Sequence, residues 1–234
     1  MFDPKRVIGF LGLAAALSMG ACTAPPRPAE PGTPTPPGAT RPPAVATFEV
    51  VESEVAVLVF RDGPLAQLGH NHVVATTALS GRIELRDPLT ASSLSLDLPL
   101  EFLDVDDPAR RRQAGDGFPD NLTEADRAGT RRNMLGPALL DAARFPVIRL
   151  QSTAIKGAGT AFLVRARAEV AGRVREITVP VHLELDDTGL VAHGEFALTH
   201  AELGLTPYSA ALGALRVRED LRVSYRIVAR RGAS

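Results

Sequence analysis

The sequence predicts an all-β domain, an antiparallel up-and-down barrel of about eight strands with a helical insertion between two of them. Three observations carry this. Apolar and polar residues alternate with period two through several long segments after Thr47, the pattern of antiparallel strands with one wet face. The turn signals Ala171-Gly172-Arg173 and Asp186-Asp187-Thr188-Gly189 join such segments into hairpins. One stretch, Thr123 to Leu135, has instead the beginning and end of a helix. Closure into a barrel removes exposed edges. An open sandwich of similar strand count has the same periodicity and stands as the alternative.

The elements follow in order. A first strand covers residues 48–60, with a break expected near Glu52-Ser53, and a second runs over 73–86. Leu94, Leu96, Leu98, Leu100 and Phe102 then form one face of a strand whose other face holds Ser93, Ser95, Asp97, Pro99 and Glu101. Thr123-Glu124-Ala125-Asp126 opens the helix, with Thr123 as N-cap, and Gly136-Pro137 closes it. A short helical turn is expected over Ala138 to Ala143. The insertion is placed across one end of the barrel. A strand over 146–155 follows, and four long alternating segments complete the set. Their inward residues run from Phe162 to Val170, Ile177 to Leu185, Leu190 to Leu198 and Leu221 to Ala229. If Asp187 and Thr188 form a hairpin tip, Leu185 faces Leu190 and His182 faces His193, and every apolar residue stays on one side.

The N-terminal segment reads as export machinery. Lys5 and Arg6 precede an apolar run, Val7 to Met19, that is too short to cross a bilayer as a helix, which takes about 20 residues. Leu17-Ser18-Met19-Gly20-Ala21-Cys22 resembles a bacterial lipobox, with Met19 where Leu is usual. Residues 1–21 are therefore expected to be a lipoprotein signal peptide and Cys22 the lipidated residue. A secretory signal with a chance cysteine is the alternative. Thr23 follows Cys22, and by resemblance to enteric lipoproteins the absence of Asp there implies the outer membrane. Residues 22–46 carry nine prolines from Pro25 to Pro43 and read as an extended tether. The folded domain is expected over 47–234, on the periplasmic side of the envelope.

Composition excludes several classes. The net charge of -1 gives no basic field for nucleic acid. Aromatic residues make up 5% and Trp is absent, which is poor in stacking surfaces. One cysteine allows no intrachain disulfide. There is no nucleophile elbow and no phosphate-binding glycine loop. The expectation is a non-enzyme with no cofactor.

Three stretches carry a family resemblance. Gly81-Arg82-Ile83-Glu84-Leu85 stands where a glycine-led strand is found. Thr130 to Leu135, followed by Leu140-Asp141-Ala142-Ala143-Arg144-Phe145-Pro146-Val147-Ile148 and Gln151-Ser152-Thr153, is similar to a helix and the passage after it. His200-Ala201-Glu202-Leu203-Gly204-Leu205 stands where a D-F-G-I turn is found. From Thr47 to Arg231 the chain resembles the YceI-like family, lipocalin-like barrels that bind polyisoprenoid chains. It departs at Gly69-His70-Asn71-His72, where the family turn has fewer histidines, and at Leu203, where Phe is usual.

The resemblance implies a lipid-anchored binding protein with a long apolar ligand of isoprenoid or quinone type inside the barrel. Ten buried CH₂ groups would supply roughly 8 kcal/mol, on the order of micromolar affinity. The inward residues Leu96, Leu98, Phe102, Phe162, Val179, Phe196, Leu198 and Tyr225 are the candidate contacts. Gly194 and several alanines would leave room. A dry barrel serving as an envelope interaction module is one alternative.

The histidines offer a second. His70 and His72 lie two apart, on one face of a strand, and could contact a ligand head group or a metal, as in a metal- or haem-associated redox accessory. No third ligand is evident. An unbroken strand to Leu85 would put both outside, and a bulge near Ser80-Gly81 would reverse that. His182 and His193 form an outside pair near Glu184 and Glu195, able to hold a metal or respond to pH. The acidic residues Asp104, Asp106, Asp107, Asp116 and Asp120, offset by Arg110 to Arg112, read as a solvated loop.

Overall fold

Alternating segments of this length can bury one face by curling into a sheet that closes on itself. The computed structural model describes residues 42–232. The expected signal peptide, the expected lipidation site Cys22 and the expected tether as far as Arg41 lie outside them. Eleven strands form one sheet: β1 (Ala46–Asp62), β2 (His72–Thr76), β3 (Ser80–Leu85), β4 (Ser93–Pro99), β5 (Asp104–Val105), β6 (Val147–Ala158), β7 (Ala161–Val170), β8 (Arg173–Leu185), β9 (Gly189–Thr199), β10 (Ser209–Ala210) and β11 (Leu215–Arg231). All pairings are antiparallel, and β11 returns to pair with β1. The closed barrel runs β1-β3-β4-β6-β7-β8-β9-β11.

The second strand expected from the sequence is two strands. β2 pairs with the later half of β1 and β3 with its start, so the two lie end to end along it. Ser53 fills the break between them. Its hydroxyl donates to Thr77 O and accepts from the Leu79 N–H, at 2.9 and 3.1 Å, and the side chain is buried. β1 itself does not break near Glu52-Ser53; it bulges at Val51, where its register with β11 slips by one.

The hairpins follow the turn signals. Ala171 and Gly172 both have positive φ, the two-residue turn whose twist suits antiparallel strands. A side chain at Gly172 would strike the Phe145 ring, so this turn also seats the end of the insertion. Asp186 Oδ1 accepts from the N–H groups of Thr188 and Gly189 in the next turn. The predicted register, Leu185 with Leu190 and His182 with His193, is observed.

The insertion carries two helices, α1 (Pro108–Ala114) and α2 (Glu124–Leu135). α2 has the expected Thr123 cap, completed by Asp126 in a capping box. α1 is a correction to the solvated-loop reading. Asp107 accepts from the N–H groups of Ala109 and Arg110, and Pro108 occupies the first helical position. The segment over Ala138 to Ala143 forms turns rather than a helix. Met134, Leu135, Leu139 and Leu140 pack against the barrel core and cover one end. Phe48, Leu85, Leu190 and Ala229 pack at the other.

Candidate ligand cavity

The inward faces of the barrel do not meet in the middle. They line a cavity of about 290 Å³. Large side chains on one wall require small ones opposite to leave such a space. β7 supplies them: Ala166 and Ala168 are fully buried between Val164 and Val170 and line the void.

Seven of the expected contacts line it: Leu96 and Leu98 on β4, Phe162 on β7, Val179 on β8, Phe196 and Leu198 on β9, and Tyr225 on β11. Phe102 does not. β4 stops at Pro99, the chain makes a single tight turn over Leu100–Phe102, and the period-two alternation ends there. Leu100 stays buried, whereas Phe102 is turned out and 56% exposed.

Tyr225 changes the reading of Gly194. The two are register partners on β11 and β9. A Cβ on Gly194 would lie 3.1 Å from the tyrosine hydroxyl, so the room that the glycine leaves is occupied by the tyrosine ring. The hydroxyl donates to Pro180 O on β8 at 2.7 Å. Burial pushes its pKa far above the ordinary phenol value. With that donor committed, the cavity offers little polarity.

The seam between β8 and β9 is open over most of its length. The strands pair only from His182–His193 to Leu185–Leu190, and beyond His182 β8 pairs with β7 alone. The segment after β9 spans this gap. Arg173 on β8 donates to Gly204 O at 2.9 Å, and Leu203 and Leu205 reach the cavity as lining residues. Buried His200 anchors the segment: its N–H donates to Glu219 O at 3.0 Å, and its Nδ1 lies within hydrogen-bond distance of the same oxygen. Leu203, Leu205 and Leu140, the last from the insertion, have no strand periodicity and were not among the sequence candidates.

The two histidines proposed near the head group take separate places. His70 is exposed in the turn before β2. The β2–β3 break, rather than a bulge at Ser80-Gly81, sets the face of His72, which it shares with Val74. Neither residue lines the cavity. His72 Nδ1 lies 2.6 Å from Asp106 Oδ2, and Arg111 meets the other carboxylate oxygen at 2.5 Å. Asp106, read from the sequence as solvated, is completely buried, as is Arg111. Burial alone would raise the Asp106 pKa. The hydrogen bond and charge of His72, the Val73 N–H and Arg111 outweigh it and hold the carboxyl below its ordinary value. This cluster ties β2, β5 and α1 together. Among the described residues, the one group of three potential metal ligands within reach of a single ion is His182, Glu184 and His193, and it includes neither His70 nor His72.

Comparison with known proteins places this architecture. BcnA of Burkholderia cenocepacia is similar in structure, with 15% identity, a TM-score of 0.54 and coverage of 75% of this chain and 95% of that one. A polyisoprenoid binding domain from Saccharophagus degradans is similar at 12% identity and a TM-score of 0.51, covering 81% of this chain and 99% of that one. Both likenesses are of fold. A search of curated proteins finds no match to the chain. The model of the YceI-like domain matches residues 51–229, nearly the whole barrel, and the chain belongs to that family.

Proposed function

We propose that the chain is a lipid-anchored carrier that holds one long apolar molecule, of isoprenoid or quinone type, on the periplasmic face of the envelope, with the outer membrane as its site. The observation that supports the reading is the 290 Å³ void walled by aliphatic and aromatic side chains. Ligand pockets commonly span roughly 300–1,000 Å³, so the void accepts a short stretch of hydrocarbon as it stands. Displacing Leu203 and Leu205 would lengthen it toward the β8–β9 seam. Binding is driven by removal of CH₂ groups from water, about 0.8 kcal/mol each, and selects for length and shape rather than for a polar group. The Saccharophagus domain, named for polyisoprenoid binding, supports the same ligand class.

Two experiments test this. Organic extracts of the natively purified full chain, examined by mass spectrometry, are expected to contain a long-chain apolar compound. The same compound is expected to be depleted from an Ala166→Leu variant that remains folded by circular dichroism. An empty wild-type extract, together with no binding of a fluorescent prenyl probe, sinks the carrier reading. Cys22→Ser is expected to shift the protein from the membrane fraction to the soluble fraction. Unchanged fractionation would remove the anchor.

A further inference from the structure

On the outer face of the barrel, away from the cavity, β8 and β9 bring together three side chains that neither the fold nor the carrier function requires. His182 and His193 face each other across the hairpin. Their ring centroids are 4.8 Å apart and the planes are tilted by 50°. Glu184 lies two residues from His182, hence on the same face of β8. Its Oε1 is 3.7 Å from His193 Nε2. One ligand atom from each of the three falls within 4.8 Å of the others.

We infer that His182, Glu184 and His193 form a binding site for a divalent transition-metal ion of the zinc or copper type. Two imidazoles and a carboxylate are the ligand set that such ions select, whereas magnesium and calcium prefer oxygen alone. Bonds of about 2.0–2.2 Å put tetrahedral ligand atoms roughly 3–3.5 Å apart. His193 and Glu184 are close to that separation. His182 and Glu184 are exposed, so a rotamer change brings the third atom in. The backbone that sets their spacing is held by strand pairing at this point, because these are the paired residues of the hairpin.

The surrounding charges permit a cation. Arg226 on β11 is the register neighbour of His193, and its guanidinium is drawn toward Glu52 on β1 at 3.0 Å. Lys156 lines the shallow concavity beside the two histidines, and Glu184 does not. Three protein ligands leave coordination positions open to solvent, as in sites that exchange a water or bind a further group. The site also lies at the branch point of the open seam: His182–His193 is the last rung before β8 and β9 part, with Gly194 next on β9 and Pro180 two residues on along β8. A bound ion would pin that rung.

The test is titration of the full chain, purified in detergent and stripped with chelator, with zinc chloride. Isothermal titration calorimetry is expected to show one zinc per chain and the melting temperature to rise with zinc, reversibly on adding EDTA. Magnesium chloride is expected to do neither. His182→Ala/His193→Ala is expected to abolish both effects while its metal-free melting temperature matches the wild type, since both side chains are on the outer face. Glu184→Gln should weaken binding without abolishing it. His70→Ala should leave binding unchanged, and Cys22 is present in every variant. Equal zinc binding by the wild type and the double variant would overturn the proposal, as would a wild-type dissociation constant weaker than about 1 mM.

Discussion

Two seams of the same barrel are built in opposite ways. β1 and β11, the ends of the domain, pair along most of their length from Phe48–Arg231 to Asp62–Arg216, with register shifts after Val50 and after Val59. β8 and β9 are joined by a tight turn, and their pairing runs out after four residues on each strand. A short connection therefore does not ensure a complete ladder, and the long-range closure is the sturdier one. On the other edge of β1 the molecule adds buried polar anchors: Ser53 in the β2–β3 break and the His72–Asp106–Arg111 cluster beside β2. Around the second seam it leaves replaceable fillings: a tyrosine hydroxyl on Pro180 O and two leucines of a loop. Backbone groups left without a ladder cost little to expose where water can reach them. The β8–β9 seam is thus where the barrel is expected to open for a ligand.

The largest effect is expected on the sturdy side. Asp106→Ala leaves the Arg111 guanidinium buried beside no carboxylate, and breaking such a pair costs about 3–5 kcal/mol. Denaturant unfolding measures it, and a loss below about 1 kcal/mol would show that the cluster is not an anchor. The same carboxyl sets a pH dependence. Its folded pKa is depressed, so its stabilisation is fully present above the unfolded value of about 3.9 and is lost as pH falls through the lower folded value. Wild-type stability should therefore decline over that acid range. Asp106→Asn should be less stable at neutral pH and decline less steeply.

A middle-sized effect is expected where the open seam begins. At Gly194 a Cβ would sit 2.5 Å from Pro180 O, which is backbone and cannot turn aside. Gly194→Val should force β8 and β9 further apart and dislodge the Tyr225 hydroxyl, at a cost of about 1–3 kcal/mol. Thermal melting checks the cost. A variant within about 0.5 kcal/mol of the wild type would mean that the seam already has slack there.

The difference between the seams also marks what the sequence could and could not reveal. Alternation made the barrel walls legible, since a residue that misses its face by one position would expose the whole set. Hence alternation alone assigns Phe162, Val179, Phe196 and Leu198 to the inward face, where they line the cavity. Phe102 was misplaced because alternation says nothing about where a strand stops, and Pro99 was the stop signal. Leu140, Leu203 and Leu205 reach the cavity from irregular chain, where no period exists to read. Asp106 looked solvated among its charged neighbours. Its burial depends on His72, far away in sequence, and on a helix whose Asp107-Pro108 start is a recognisable cap. Pro180 was a further signal. A proline inside an otherwise regular strand belongs on an unpaired side, and here that side is the β8–β9 gap.

The smallest change tests the comparison most directly. Tyr225→Phe keeps the ring that fills the space over Gly194 and removes one hydroxyl, so stability should fall by only about 1 kcal/mol. Ser53→Ala removes one hydroxyl from β1, on the far side of Tyr225 from the β8–β9 seam, where it serves the β2–β3 break, at a cost of roughly 1–3 kcal/mol, because the Leu79 N–H is left buried. If the open seam is the route to the cavity, the two variants part company in stopped-flow release of a bound fluorescent prenyl probe. Tyr225→Phe should release it several-fold faster than the wild type, since the bond that spans β11 and β8 is the one lost. Ser53→Ala should release it at the wild-type rate despite being the less stable protein. Release that instead follows stability, fastest in Ser53→Ala, would mean that the ligand escapes by general loosening of the barrel and that the gap between β8 and β9 is not its door.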